Sequence, residues 1–146
     1  MWYFNSVNHL KNSLTSCVFI ADDDEDDRFL LQFAFQELGF DSALTFANDG
    51  LDLLRLLLDS EVSPALIILD INMPRLDGFE TLKVLRSKKA YQATPIVMLT
   101  TSVQESDRQH ARDLGASAYL IKPSTIEELK KTVFQLVSDW KLAPDC

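Results

Sequence analysis

Glycine is scarce in this 146-residue chain, and its scarcity narrows the functions that the sequence can support. The chain has only four glycines, and they form neither a GxxxxGK[ST] nor a GxGxxG pattern. Those patterns let backbone N–H groups approach the phosphates of a nucleotide, which needs residues without a side chain. Their absence argues against a nucleotide-binding protein.

Basic residues and cysteines are also few. Fourteen Lys and Arg stand against 22 Asp and Glu, for a net charge of -8. Because nucleic acid and anionic membrane surfaces require a basic patch, we expect neither as a direct partner. The two cysteines, Cys17 and Cys146, have no CxxC or Cys/His spacing. This argues against a zinc site and a disulfide framework, and it favours a reducing compartment.

The chain has no long apolar run. Its most leucine-rich segment, LDLLRLLLDS (51–60), is short and charged, so it cannot cross a bilayer. The first 16 residues lack the basic start and apolar core of a signal peptide. We therefore expect a cytoplasmic protein with an N-terminal extension (1–16), one domain (17–140) and a short tail (141–146).

Strands and helices alternate along the predicted domain. Five short apolar segments, rich in β-branched residues, predict β-strands at 17–21, 43–46, 65–70, 96–100 and 118–121. Apolar residues recur at three- and four-residue spacing between and after them, which predicts five helices at 26–38, about 50–59, 79–86, 104–115 and about 125–140. Strict alternation with continuous apolar strands predicts an α/β fold with a parallel sheet covered on both faces.

Polar side chains stand where four of these strands end. Asp22 and Asp23 follow the first strand, and Asp70 ends the third. Thr100 ends the fourth and Lys122 follows the fifth. Since parallel strands place their carboxyl ends at one edge of the sheet, we expect these side chains to converge on one cleft.

Three carboxylates so placed require either that some of them are protonated or that a cation lies among them. Two carboxylates about 4 Å apart repel by roughly 4 kcal/mol at an effective dielectric constant near 20. Oxygen ligands without His or Cys favour Mg²⁺, with Mn²⁺ as an alternative. Lys122 and the Thr100 hydroxyl can each hold a phosphate oxygen, so the pattern predicts a phosphoryl group beside the metal. A carboxylate can itself be the phosphoryl acceptor.

The acidic run Asp22–Asp27 serves two purposes in this interpretation. Its first two residues belong to the metal site. The rest, Asp24 to Asp27, lead into the first helix, where negative charge meets the positive end of the helix dipole.

The sequence resembles response regulator receiver domains of two-component signalling over about residues 17 to 140. The matching segments are ADD (21–23), LIILDINMPRLDG (66–78), PIVMLTT (95–101) and GASAYLIKP (115–123). The resemblance implies a flavodoxin-like, doubly wound sheet of five parallel strands in the order 2-1-3-4-5 with five helices. Thr101 departs from the family, which prefers the smaller Ala or Ser at this position, and we expect its bulk to slow phosphotransfer or hydrolysis.

The resemblance also assigns roles to individual residues. Asp70 is implied to be the phosphoacceptor. Asp23 is implied to bind Mg²⁺ directly, Asp22 mostly through water, and Asn72 through its backbone carbonyl. The same resemblance implies that Lys122 pairs with the phosphate and is joined to Pro123 by a cis bond.

Thr100 and Tyr119 are implied to form the conformational switch. Thr100 would move towards the phosphate, and Tyr119 would turn inward when it does. The output surface would then be residues 104 to 138.

Only six residues follow Trp140, so the expected protein is a stand-alone receiver similar to chemotaxis regulators. It would accept a phosphoryl group from a sensor histidine kinase or phosphotransfer protein and signal by binding a downstream protein. It would not be an enzyme beyond catalysing its own phosphorylation and dephosphorylation at Asp70. The mixed charges of residues 105–113 and 127–131 permit a homodimer without requiring one.

Two other functions compete with this interpretation. A phosphatase with an aspartate nucleophile needs a second Asp two residues later, where this chain has Asn72. A phosphorylation-independent interaction module would retain the fold without the chemistry, and loss of the acidic or lysine positions would favour it. All of these positions are present.

Overall fold

The computed structural model describes residues 17–40 and 43–144. The predicted N-terminal extension lies outside the described residues, as do the last two residues of the tail. The division of the chain at residues 17 and 140 stays a prediction.

Five parallel strands form one sheet. They are β1 (Val18–Ala21), β2 (Leu44–Ala47), β3 (Leu66–Leu69), β4 (Ile96–Thr100) and β5 (Ala118–Ile121). Their order across the sheet is β2-β1-β3-β4-β5, and every neighbouring pair is parallel. The predicted fold class and strand order are confirmed.

Within the described residues, five α-helices connect and follow the strands. They are α1 (Glu25–Gln36), α2 (Gly50–Asp59), α3 (Gly78–Ser87), α4 (Glu105–Asp113) and α5 (Ile126–Asp139). A short 3₁₀ helix (Lys89–Tyr91), which the sequence did not predict, follows α3. Among the residues described, no helix is both long and apolar enough to cross a membrane.

The core lies on both faces of the sheet. Alternate residues of one strand point to opposite faces, so Phe19 and Leu69 join one apolar cluster while Ile20 and Ile68 join the other. Every residue of β1, β3 and β4 is buried. The continuous apolar runs in the sequence are therefore central strands, covered by helices on each side.

Polar side chains fix the starts of four helices. Asp24, Asp49, Asp77 and Thr125 each accept a hydrogen bond from the backbone N–H three residues later, at 2.9 to 3.2 Å. Such a cap typically contributes about 1 kcal/mol. Asp24 caps α1, and Glu25, Asp26 and Asp27 occupy its first turn, as the acidic run predicted.

Arg86 ties α3 to two loops. Its guanidinium donates to the carbonyls of Tyr91 and Thr94 at 2.7 and 2.8 Å, and to that of Gly115 at 2.9 Å. Partial burial lowers the pKa of Arg86. The side chain therefore satisfies backbone carbonyls that precede β4 and β5, and so helps to position both strands.

Cys17, immediately before β1, is 2% exposed and disulfide-bonded. The sequence argued only against a disulfide framework, and it did not predict the bond at this residue. Residue spacing predicts disulfides only where cysteines follow a known pattern, whereas pairing depends on distances in the folded chain.

Candidate functional site

The polar residues predicted at the strand ends are held by the continuing sheet. The backbone N–H of Asp22 donates to the last carbonyl of β2 at 3.1 Å, and that of Asp70 donates to the last carbonyl of β1 at 3.1 Å. The N–H of Lys122 donates to the Thr100 carbonyl at 2.7 Å. These bonds fix the three backbones at one edge of the sheet, as the alternation predicted.

Three carboxylates converge at this edge. One oxygen from each of Asp22, Asp23 and Asp70 lies within 4.8 Å of the others. Asp22 and Asp70 are 2% and 9% exposed, whereas Asp23 is exposed. The set contains only oxygen ligands, and one of its members faces solvent. It therefore fits a hard divalent cation that keeps some of its water.

Lys122 stands among three acidic groups. Its Nζ lies 2.7 Å from Asp22 Oδ2, and it donates hydrogen bonds to Asp70 Oδ2 at 2.8 Å and to Asp27 Oδ2 at 2.6 Å. The sequence predicted the first two neighbours but missed Asp27. The available signal was its place in the first turn of α1, four residues after Asp23, where a helix brings a side chain back towards its own start.

Burial and the neighbouring charges shift the pKa values of Asp22 and Lys122 in opposite directions. Burial raises the pKa of Asp22, although the hydrogen bonds from Lys122 and the Asp24 N–H partly offset it. Burial of Lys122 favours the neutral amine, but the contacts with Asp22, Asp27 and Asp70 outweigh it and raise the lysine pKa. The lysine is therefore charged at neutral pH, and its charge is what allows several carboxylates to remain close together.

The backbone around Asp70 is tightly constrained. The N–H of Ile71 donates to Asp70 Oδ1 at 2.7 Å, and the N–H of Gly78 donates to the Ile71 carbonyl at 2.8 Å. A Cβ placed on Gly78 would lie 2.1 Å from the Asp70 carbonyl oxygen. Only glycine fits there, so the glycine of the MPRLDG segment is explained by its contact with the Asp70 backbone.

Both predicted switch residues contact Ser102. The Ser102 N–H donates to Thr100 Oγ1 at 3.3 Å, and the Tyr119 hydroxyl donates to the Ser102 carbonyl at 3.0 Å. Thr100 is fully buried, and the Tyr119 ring has the Arg108 guanidinium 5.0 Å from its centre. Ser102 therefore links the buried Thr100 hydroxyl at the end of β4 to Tyr119 on β5.

The loop after β3 forms a second ion pair near the site. Arg75, with a positive φ of 65°, donates to Asp49 at 2.7 and 3.0 Å. This contact lowers the pKa of Asp49. Asn72, in the same loop, is exposed.

The predicted cis bond between Lys122 and Pro123 is wrong. All peptide bonds of the described residues are trans. A proline only reduces the preference for trans, so a Lys-Pro pair by itself does not fix the isomer.

The site and fold match a known family. A family model described as the response regulator receiver domain matches residues 18–134. The chain belongs to the response regulator receiver domain family. Proteins of this family act in signalling and are not conventional enzymes.

Curated relatives agree with this assignment. A probable methanogenesis regulatory protein, FilR2 of Methanothrix harundinacea, is 34% identical over 84% of this receiver domain chain and 82% of its own length. A probable chemotaxis protein, CheY of Rhizobium etli, is 34% identical over 80% of this chain and 88% of its own.

Solved receiver structures share the fold. The phosphorylated cyanobacterial phytochrome response regulator RcpA has a TM-score of 0.80 and 27% identity, covering 87% of this chain and 94% of its own. The Mn²⁺-bound response regulator Rcp1 has a TM-score of 0.76 and 29% identity, covering 86% of this chain and 94% of its own.

Proposed function

We propose that this receiver domain accepts a phosphoryl group on Asp70 from a phosphohistidine, with Mg²⁺ bound at Asp22, Asp23 and Asp70. The observation that carries the proposal is the arrangement around Asp70. A largely buried carboxylate lies beside two further carboxylates, with a lysine ammonium 2.8 Å from its Oδ2. A phosphorylated protein and a Mn²⁺-bound one of the same fold support it by analogy.

The transfer forms one bond and breaks one. A carboxylate oxygen of Asp70 attacks the phosphorus, and the P–N bond of the phosphohistidine breaks with its electron pair leaving on the imidazole. Asp70 is suited to this attack because Lys122 and the Ile71 N–H hold its two oxygens in place. In dephosphorylation a water oxygen attacks phosphorus and the bond between phosphorus and the Asp70 oxygen breaks, which releases inorganic phosphate and returns the Asp70 carboxylate.

Mg²⁺ would neutralise charge on the phosphoryl oxygens, which is the usual contribution of a divalent cation to such transfers. The residues that would hold it are Asp23 directly, Asp22 mostly through water, Asp70, and the Asn72 backbone carbonyl. Lys122 would pair with a second phosphoryl oxygen, which its charged state allows.

The signal would leave the site through Ser102. Movement of the Thr100 hydroxyl towards the phosphoryl group breaks its contact with the Ser102 N–H. Because the Ser102 carbonyl accepts from Tyr119, a shift of this residue also alters the tyrosine. Such a two-state linkage would present a changed α4–β5–α5 surface to a downstream protein.

Incubation with acetyl phosphate and Mg²⁺, followed by intact-mass measurement, tests the function. We expect a mass gain of one phosphoryl group that Asp70→Asn abolishes and that chelation of divalent cations prevents. Asp59→Asn, which alters an exposed aspartate at the end of α2, is the matched control and should retain the gain. No gain in the wild type, or an equal gain in Asp70→Asn, would contradict the assignment and favour a phosphorylation-independent module.

A sensor kinase or phosphotransfer protein as donor, and a cytoplasmic location, follow from the family and are part of this proposal. The disulfide at Cys17 opposes the location, since disulfides rarely persist in a reducing compartment. Labelling of free thiols in protein taken directly from cells distinguishes a cytoplasmic location from an oxidising compartment. A Cys17 thiol that resists labelling would indicate an oxidising compartment and would contradict the proposed location.

A further inference from the structure

Asp27 is the acidic group nearest to Lys122, although it is outside the predicted metal site. Its Oδ2 lies 2.6 Å from the lysine Nζ, compared with 2.7 Å for Asp22 and 2.8 Å for Asp70. Asp27 reaches this position from the first turn of α1, and the other two carboxylates come from strand ends. The lysine is therefore contacted from one helix and from the ends of two strands.

The three contacts occupy the lysine fully. An ammonium group has three N–H donors, and three carboxylate oxygens lie within 2.8 Å of it. A phosphoryl oxygen on Asp70 needs one of these donors. Phosphorylation therefore requires Lys122 to give up a contact that it makes in this structure.

Because the Asp70 contact holds the attacking carboxylate until the new bond forms, exposure decides which of the other two contacts is given up. The side chain of Asp22 is 2% exposed and that of Asp70 is 11% exposed, whereas that of Asp27 is 34% exposed. A buried carboxylate that loses its partner keeps an unsatisfied charge, while an exposed one is hydrated. Asp27 and Lys122 also border a common cleft with Leu30 and Pro123, which gives the released carboxylate room to turn.

We propose that Asp27 is a positioning residue that holds Lys122 in competition with the incoming phosphoryl group, and so slows phosphorylation of Asp70. This inference rests on the proposed function. With acetyl phosphate as donor, the Asp70 oxygen–phosphorus bond forms and the phosphorus–oxygen bond to acetate breaks, with acetate leaving. Lys122 meanwhile transfers one hydrogen bond from Asp27 Oδ2 to a phosphoryl oxygen, without losing a proton.

Asp27→Ala removes the competing acceptor, and the chain offers a close control. Asp26→Ala removes the same charge from the same helical turn at an exposed position. Asp27→Glu keeps a carboxylate and is expected to restore slow phosphorylation. Should Asp27→Ala fail to fold, Asp27→Asn removes the charge with a smaller change of shape.

Phosphorylation rates over a series of acetyl phosphate concentrations, at saturating Mg²⁺ and by quenched intact-mass measurement, test the role. We expect Asp27→Ala to be phosphorylated about fivefold faster than the wild type, equivalent to roughly 1 kcal/mol in the barrier. Asp26→Ala should stay within about twofold of the wild type, because an exposed charge without the lysine contact contributes little. Asp27→Glu should also stay within about twofold, because its carboxylate can still accept from Lys122. Saturating Mg²⁺ removes any difference in metal affinity from the comparison, and circular dichroism verifies the fold of each variant.

The outcomes separate this inference from the function on which it rests. Acceleration confined to Asp27→Ala supports the competition. Equal acceleration in Asp26→Ala shows an effect of net charge alone and overturns it. An unchanged or slower Asp27→Ala also overturns it, and a slower rate means that Asp27 aims the lysine productively. Absence of phosphorylation in the wild type refutes the proposed function, and the competition with it.

Discussion

Replacement of Lys122 by methionine removes the one cation that contacts the carboxylate cluster directly among the described residues. Methionine has similar length and no charge, so the change isolates the ammonium. The lysine side chain is 11% exposed, and its partners Asp22 and Asp70 are 2% and 11% exposed. Removing one member of a buried ion pair usually costs about 3–5 kcal/mol. We expect the lower end, about 3 kcal/mol, because the adjacent Asp23 and Asp27 carboxylates retain access to solvent.

That loss is large for a domain of this size, whose total stability is typically about 5–15 kcal/mol. It corresponds to a fall in the melting temperature of roughly 10 °C. Denaturant unfolding at pH 7 with a chelator measures it. Lys130→Met is the control, since this lysine is 39% exposed and pairs with Glu37 at 3.2 Å. We expect it to lose less than about 1 kcal/mol.

The dependence of the stability deficit on pH and on Mg²⁺ tests whether the missing lysine charge causes it. Without the lysine, the pKa of Asp22, already raised by burial, rises further in the folded protein. A folded-state pKa raised above the unfolded value of about 3.9 makes an ionised carboxylate destabilising. The deficit should therefore shrink as the pH falls through the raised pKa, and Mg²⁺ should also reduce it at pH 7. A loss equal to that of Lys130→Met, or one unchanged by acid and Mg²⁺, would refute the reasoning.

Three other changes give distinct expected results. Gly78→Ala places a methyl group against the Asp70 carbonyl. We expect a loss of about 2–3 kcal/mol in the free energy of unfolding by denaturant, and slower phosphorylation. Stability and a phosphorylation rate equal to those of the wild type would contradict the close contact. Asp49→Ala removes a helix cap, at a cost of about 1 kcal/mol at pH 7. Because Arg75 lowers the pKa of Asp49, its contribution is complete above about pH 3.9 and is lost as the pH falls through the lower folded value, so wild type and variant should converge in acid. Arg86→Met removes the side-chain donor that the carbonyls of two loops share and should cost about 2 kcal/mol, and an unchanged unfolding midpoint would refute that role.

Much of the fold could be predicted because its pattern is local. A run such as LIIL (66–69) is apolar at every position, and only a strand covered on both faces requires that. Once strands and helices alternate, parallel pairing follows, and Asp22, Asp70 and Lys122 must meet at one edge. The residues of the candidate site could be named for this reason, before any distance was known.

Contacts between distant segments depended on the tertiary structure. The 3₁₀ helix (Lys89–Tyr91) has no apolar periodicity to mark it, and the bonds of Arg86 join α3 to loops 5 to 31 residues away. Ser102 has no distinctive spacing in the sequence, yet it joins Thr100 to Tyr119. The trans bond before Pro123 and the disulfide at Cys17 likewise depend on surroundings that the residues themselves do not reveal.

The acidic run Asp22–Asp27 has features that follow from local sequence patterns and one that depends on a contact between distant segments. The sequence by itself determined that Asp22 and Asp23 end a strand and that the acids after them begin a helix, because strand and helix periods are local properties. Only the tertiary structure decided that Asp27 faces Lys122, 95 residues away, and not bulk water. The direction of a side chain in the first turn of a helix depends on how that helix packs on the sheet, and that packing is set by the whole core.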